Sequence, residues 1–243
     1  MWRDAAESDG LRAIDQLVAE VLAQGGWTEP PIDVVALAKR LGMAIAVDSR
    51  QEPRGRHMRI DGRTAIFVRP EPRPERLQWT VAHEIGEALA HRLQTRQSEN
   101  DLADGEREQR ANQLATRLLL PRGWFERDAR LCRNDLFELK KLYSTASHEL
   151  IAWRLLDGDE PAVTTVIDQG RMTRRRGNLP GRLPPWTTGE RACLVEVQAT
   201  GRPARRDERE FQVTAWPVHE PGWRREIVRL VWRGEGFAVD ASD

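Results

Sequence analysis

The sequence predicts an α+β protein: a mainly helical domain with a small antiparallel sheet in residues 1–157, then a small β-rich domain of open role in residues 158–243. Three observations support this prediction. Apolar residues recur at helical spacing through most of the first 157 residues, and the pair Asp61-Gly62 between two β-rich stretches is typical of a hairpin turn. Beyond Pro161 the pattern changes to short β-like runs separated by Gly, Pro and Arg.

Helices are predicted where apolar residues repeat every three or four positions and a stop signal follows. Gly25 ends the first of them, Gly42 ends the second, and Pro121 ends the one that begins at Glu106. The predicted helices are Gly10–Gln24, Pro30–Leu41, Glu75–Leu93, Glu106–Leu120, Trp124–Leu131, Asp135–Tyr143 and Ser147–Leu156.

Strands are predicted where β-branched and apolar residues form short runs bounded by turn residues. The first three, Met43–Val47, His57–Ile60 and Arg63–Val68, are expected to form the small antiparallel sheet. The second domain is expected to contain the strands Ala162–Ile167, Ala192–Gln198, Phe211–Trp216 and Ile227–Trp232. The arginine-rich runs 174–176 and 202–209 are interpreted as solvated turns.

The composition of the chain excludes several classes of partner. Lys plus Arg and Asp plus Glu both number 38, so the formal net charge is zero and argues against nucleic acid or an anionic membrane as partner. No run of eighteen apolar residues and no signal-type N-terminus occurs, which predicts a cytoplasmic protein. Cys132 and Cys193 are too few and too far apart for a disulfide framework, and both are expected to be reduced.

The helix predicted over Glu75–Leu93 carries a candidate metal site in the segment His83-Glu84-Ile85-Gly86-Glu87. Positions i and i+4 lie on one face of a helix, so His83 and Glu87 can reach one cation, while Glu84 is offset and suits a general base. Glu108 on the next helix is the candidate third ligand, which leaves a coordination position open for water or substrate. Taken alone, this segment is weak evidence and fits the polar face of an ordinary helix better than a metal site.

Four segments in one order resemble the ImmA/IrrE family of metallo-endopeptidases: residues 31–43, the metal helix 80–86, the segment 108–121 with its third ligand, and the helical segment 135–155. The resemblance implies a gluzincin-like α+β fold and a zinc-dependent endopeptidase that acts on a protein substrate. In characterised relatives the substrate is a helix-turn-helix repressor, which implies a role in transcription regulation and stress response.

The departure from the family is Glu87, which stands where most members have a second histidine. One neutral imidazole and two carboxylates cancel the charge of a divalent ion, so a bound water would be less acidic than in a two-histidine site. Carboxylates also favour harder ions, so Mn²⁺ is possible beside Zn²⁺. Two functions follow as hypotheses: a metallo-endopeptidase with Glu84 as general base, or a catalytically inactive peptidase-like module that binds or regulates a protein. A third possibility, nucleic-acid binding through the arginine-rich turns of the second domain, is disfavoured by the zero net charge.

Two further residues are candidates for contacts around the ligands. His91 is too far along the helix to share the ion with His83, but it can reach Glu87 at i+4 as an outer partner or as a plain salt bridge. Asn112 lies on the same face as Glu108 and can orient a ligand or make an ordinary interhelical hydrogen bond. His57 is predicted to be a strand residue that faces solvent.

Overall fold

The computed structural model describes residues 5–93, 104–220 and 222–234, and the chain divides into two compact units, Met1–Ser147 and His148–Asp243. The class predicted from sequence, α+β, is confirmed. The predicted division at residue 157 would place the helix after Ser147 in the first unit. In the structure that helix belongs to the second unit, where Trp153 and Leu156 pack against Ala162 and Val231.

The first unit contains six helices among its described residues, and each corresponds to a predicted one within a few residues. They are α1 (Ala5–Gln24), α2 (Val34–Arg40), α3 (Pro74–Leu89), α4 (Asp104–Leu119), α5 (Arg122–Leu131) and α6 (Leu136–Leu142), with a 3-10 turn (Ala90–Leu93) after α3. The Asp33 carboxylate caps α2 by accepting from the N–H groups of Val35 and Ala36 at 2.9 and 3.1 Å. Asp33 also accepts from the Gln78 amide at 2.9 Å, which ties α2 to α3.

The sheet of this unit consists of β1 (Ala44–Val47), β2 (Gly55–Ile60) and β3 (Arg63–Val68) in the order β1-β3-β2. The hairpin prediction is confirmed, because β2 and β3 pair antiparallel and both turn residues, Asp61 and Gly62, have positive φ. The expectation of a wholly antiparallel sheet is wrong, since β1 pairs parallel with β3. Strand β3, the second strand of the hairpin, lies between β1 and β2 and runs in the same direction as β1.

Helices α3 and α4 pack side by side and form the centre of the first unit. Val81 and Ile85 from α3 and Leu114 and Leu118 from α4 are at most 1% exposed. Gly86 lies at the closest approach, where an added Cβ would be 2.9 Å from the carbonyl oxygen of Ala111. Glycine at this position therefore sets the short distance between the two helices.

The second unit contains α7 (His148–Arg154), a 3-10 turn (Leu155–Asp157), β4 (Ala162–Asp168), β5 (Arg171–Gly177), α8 (Thr188–Thr200), β6 (Ala204–Asp207), β7 (Phe211–Pro217) and β8 (Arg225–Trp232). The five strands form an antiparallel sheet in the order β5-β4-β8-β7-β6. Helix α8 packs on the sheet through Cys193 and Val197, which join a buried cluster with Val213 and Leu230.

Three predictions for this unit are wrong. The expected strand Ala192–Gln198 is part of helix α8. The helix begins with a capping box formed by Thr187 and Glu190, and it ends at Gly201, whose backbone is in the left-handed region. The two arginine-rich runs are not simple turns, because 174–176 lies within β5 and 202–209 contains β6. Both strands lie at the edges of the sheet, where exposed charged side chains discourage pairing with another chain, but Arg175 is mostly buried and pairs with Glu190.

Candidate metal centre

Helix α3 presents the three residues of the predicted motif at different depths. His83 and Glu87 lie one turn apart, with 3.8 Å between Nε2 of His83 and Oε1 of Glu87, and their side chains are 17% and 35% exposed. Glu84 is only 5% exposed. The helix thus turns two ligand-type groups toward one side and buries a carboxylate beside them.

Helix α4 brings the third predicted ligand to the same place. Oε2 of Glu108 lies 3.5 Å from Nε2 of His83. The ligand-type atoms of His83, Glu87 and Glu108 all lie within 4.8 Å of one another. A divalent ion about 2.1 Å from each ligand atom allows two ligands to be at most about 4.2 Å apart, so the two distances from His83 fit a shared ion.

Asn112 connects the ligands on α4 and α3. Its Oδ1 lies 3.2 Å from Nδ1 of His83, and its Nδ2 donates to Oε1 of Glu108 at 3.1 Å. With the proton on Nδ1, the histidine donates to Asn112 and turns the lone pair of Nε2 toward the two carboxylates. This is the tautomer that a metal ligand requires.

Strand β2 covers the other side of α3 and contributes His57, which the sequence interpretation missed. Nδ1 of His57 lies 3.2 Å from Oε2 of Glu84 and 3.3 Å from Oε2 of Glu87, and its side chain is 30% exposed. The expectation that His57 faces solvent is therefore wrong. The hairpin register contained the signal, because cross-strand partners point to the same face and the partner of His57 is Ile66, which is fully buried.

The electrostatics of this group follow from its hydrogen bonds. The bonds to Glu84 and Glu87 raise the pKa of His57 to about 9, against the opposing effect of burial. The bond from His57 lowers the pKa of Glu87, and the nearby His83 lowers it further. In the chain without an ion, His57 is therefore a cation between two carboxylates at neutral pH.

Gly55 permits the close contact between β2 and α3. An added Cβ would lie 2.5 Å from Oε1 of Glu84 and 2.6 Å from Cγ2 of Thr80. The strand can therefore lie directly on the buried carboxylate only without a side chain at this position. The prediction for His91 concerns a side chain outside the described part of the structure.

Comparison with known families matches residues 38–155 to the family described as IrrE N-terminal-like domain, Peptidase M78. Residues 38–155 are thus similar to an IrrE N-terminal-like domain. The matched range contains α3, α4, β2 and β3, and with them every residue of the site described above. The resemblance recognised from the sequence motifs is thus confirmed, and the match indicates a metallopeptidase-like or regulatory role.

The chain resembles a solved structure titled Mycobacterium tuberculosis transcriptional regulator. The TM-score is 0.64, the identity is 15%, and the match covers 93% of each chain. At this identity the likeness shows the fold alone. No curated protein matches the chain. Among the described residues no helix combines the length and the apolar character needed to cross a membrane.

Proposed function

We propose that the chain is a metal-dependent endopeptidase that hydrolyses peptide bonds of a protein substrate, with the ion held by His83, Glu87 and Glu108. The observation that supports the proposal most is the convergence of these three side chains from two helices. Ligand-type groups that merely shared the polar face of one helix would not include Glu108. The chemistry of the donor set, one imidazole nitrogen and two carboxylate oxygens, suits a divalent ion.

Glu84 is the proposed general base. A divalent ion, when bound, would polarise the peptide carbonyl and make a water molecule more acidic. Glu84 would take the proton of the attacking water and pass it to the leaving amine, since its carboxylate is offset from the ligand pair. Its burial, with 5% of the side chain exposed, fixes its position and limits its hydration.

The proposed ion is Zn²⁺, with Mn²⁺ as the alternative. Two carboxylates and one neutral imidazole cancel the charge of either ion and favour a harder cation than two histidines would. Binding strength in open competition follows the Irving–Williams order, which places Zn²⁺ well above Mn²⁺.

One observation favours a second function, a peptidase-like module that binds or regulates a protein without catalysis. His57 contacts both Glu84 and Glu87 and partly neutralises the two carboxylates in the absence of an ion. With this ion pair in place, the charge of the Glu87 carboxylate is balanced by His57 and the folded protein needs no metal for that purpose. The two functions differ in whether an ion binds to the other oxygen of Glu87, on the side of His83 and Glu108.

For the substrate we propose a helix-turn-helix transcriptional repressor, in line with the family, and a role in transcription regulation and the stress response. The similar solved structure is titled a transcriptional regulator, which agrees with a role in transcription. A cytoplasmic location is proposed as well, and the free thiols of Cys132 and Cys193 suit a reducing compartment.

Elemental analysis of protein purified without chelator tests the ligand set. We expect close to one divalent ion per chain, and loss of the ion in His83→Ala. Glu84→Gln should keep the ion and lose cleavage of a repressor-type substrate. The exposed Glu138→Gln removes a charge on α6, which carries none of the proposed ligands, and serves as the control. Full cleavage by Glu84→Gln would refute the mechanism, and a metal-free wild type with unchanged partner binding in His83→Ala would establish the second function.

A further inference from the structure

The two oxygens of Glu87 face different partners. Oε1 lies 3.8 Å from Nε2 of His83, on the side where Glu108 completes the proposed ligand set. Oε2 lies 3.3 Å from Nδ1 of His57 on β2. One oxygen is thus directed to the ion site and the other is held by a hydrogen-bond donor from a different element.

A glutamate ligand at this position has a weakness that a histidine would not have. Its side chain has three rotatable bonds and is 35% exposed, so without an anchor it would sample orientations directed into solvent. Ordering such a side chain costs conformational entropy. A hydrogen bond to the outer oxygen removes part of this cost before an ion arrives, as the outer partners of metal-bound carboxylates do.

His57 is itself held in place by the sheet. Its backbone lies in the β2–β3 ladder opposite Ile66, a fully buried residue of the core. The same nitrogen of His57 also lies 3.2 Å from Oε2 of Glu84. His57 therefore holds the carboxylates of the proposed ligand Glu87 and the proposed base Glu84 at a fixed separation from a strand outside their helix.

We propose that His57 is the positioning residue that enables Glu87 to act as a metal ligand. His57 shares its Nδ1–H between Oε2 of Glu84 and the outer oxygen of Glu87, so it keeps the inner oxygen of Glu87 directed toward His83 and Glu108 and holds Glu84 beside them. This inference rests on the proposed function. Strand β2 supplies none of the proposed ligands, but through His57 it allows the site to use a glutamate as a ligand at position 87.

Metal titration of the full chain tests the inference, with Zn²⁺ measured against a chromogenic chelator and Co²⁺ measured by its visible absorption. His57→Ala should weaken binding of both ions by about 10- to 100-fold, the range found for lost outer partners. His57→Asn should restore most of the affinity and the wild-type Co²⁺ spectrum, because the asparagine Nδ2 occupies nearly the place of Nδ1. His57→Gln moves the amide by one methylene and should restore less.

Met58→Ala is the matched control, since Met58 is the next residue on the same strand and is 43% exposed. It should bind both ions like the wild type, and thermal unfolding in excess chelator should show that every variant is folded. If His57→Ala is unstable, the comparison between His57→Asn and His57→Gln carries the test.

Several outcomes would overturn the inference. Unchanged affinity in His57→Ala would reduce the histidine to a packing role, and tighter binding would make it a competitor of the ion. Two ions per wild-type chain, or no recovery in His57→Asn, would indicate that His57 is itself a ligand. A wild type that binds no ion at all would refute the proposed function and this inference together.

Discussion

Gly86→Ala probes the contact between α3 and α4 that brings His83 to Glu108. The added Cβ would lie 2.9 Å from the carbonyl oxygen of Ala111 and 3.1 Å from Cβ of Leu114, against 3.4 Å or more for an ordinary contact. The obstacle at Ala111 is backbone, so the helices must separate by about 0.5 Å rather than rotate a side chain.

The expected magnitude combines two opposing effects. Overpacking of this kind costs about 1–3 kcal/mol, while alanine in a helix interior is about 1 kcal/mol more favourable than glycine. Gly10→Ala in α1 isolates the second effect, because nothing lies within 4 Å of the added Cβ there. We expect Gly86→Ala to be less stable than Gly10→Ala by about 1–3 kcal/mol in urea unfolding followed by circular dichroism.

The same variant should weaken metal binding. A shift of about 0.5 Å takes the 3.5 Å distance between His83 and Glu108 close to the largest separation that one ion allows, so affinity should fall about tenfold. Chelator-competition titration measures this loss, again with Gly10→Ala as control. If Gly86→Ala is as stable as Gly10→Ala and binds metal like the wild type, the close helix contact does not set the geometry of the site.

Three further predictions concern other parts of the chain. Gly55→Ala should displace the Glu84 carboxylate, which its Cβ would approach to 2.5 Å, and should reduce substrate cleavage; unchanged cleavage would contradict it. Tyr143→Phe should cost about 1–3 kcal/mol of unfolding free energy, because the buried hydroxyl donates to Asp128 at 2.8 Å; stability equal to the wild type would contradict this. Burial raises the pKa of Asp168, but hydrogen bonds from an arginine, a threonine and a tryptophan outweigh this effect, so the net pKa is lowered. The stability that Asp168 contributes is therefore present above about pH 4 and is lost as the pH falls further. The difference in unfolding free energy between wild type and Asp168→Asn should therefore shrink at acid pH, and a constant difference would refute the assignment.

The sequence predicted the first unit well because its signals are local. Apolar residues at helical spacing with Gly and Pro stops gave each helix from α1 to α6, and Asp61-Gly62 gave the hairpin, since a type I′ turn requires positive φ at both positions. It predicted the second unit less well. A short apolar run such as 192–198 suits strand or helix, and only the capping residues Thr187 and Glu190 favour the helix.

The sequence by itself determined which groups are available: a histidine and three carboxylates at spacings that suit α3 and α4, together with the family they resemble. Only the tertiary structure decided how these groups meet. Gly86 sets the distance between the helices, and the pairing of β2 with β3 turns His57 inward onto Glu84 and Glu87. Periodicity describes one element at a time, whereas the contact between β2 and α3 depends on the packing of elements that are distant in the chain.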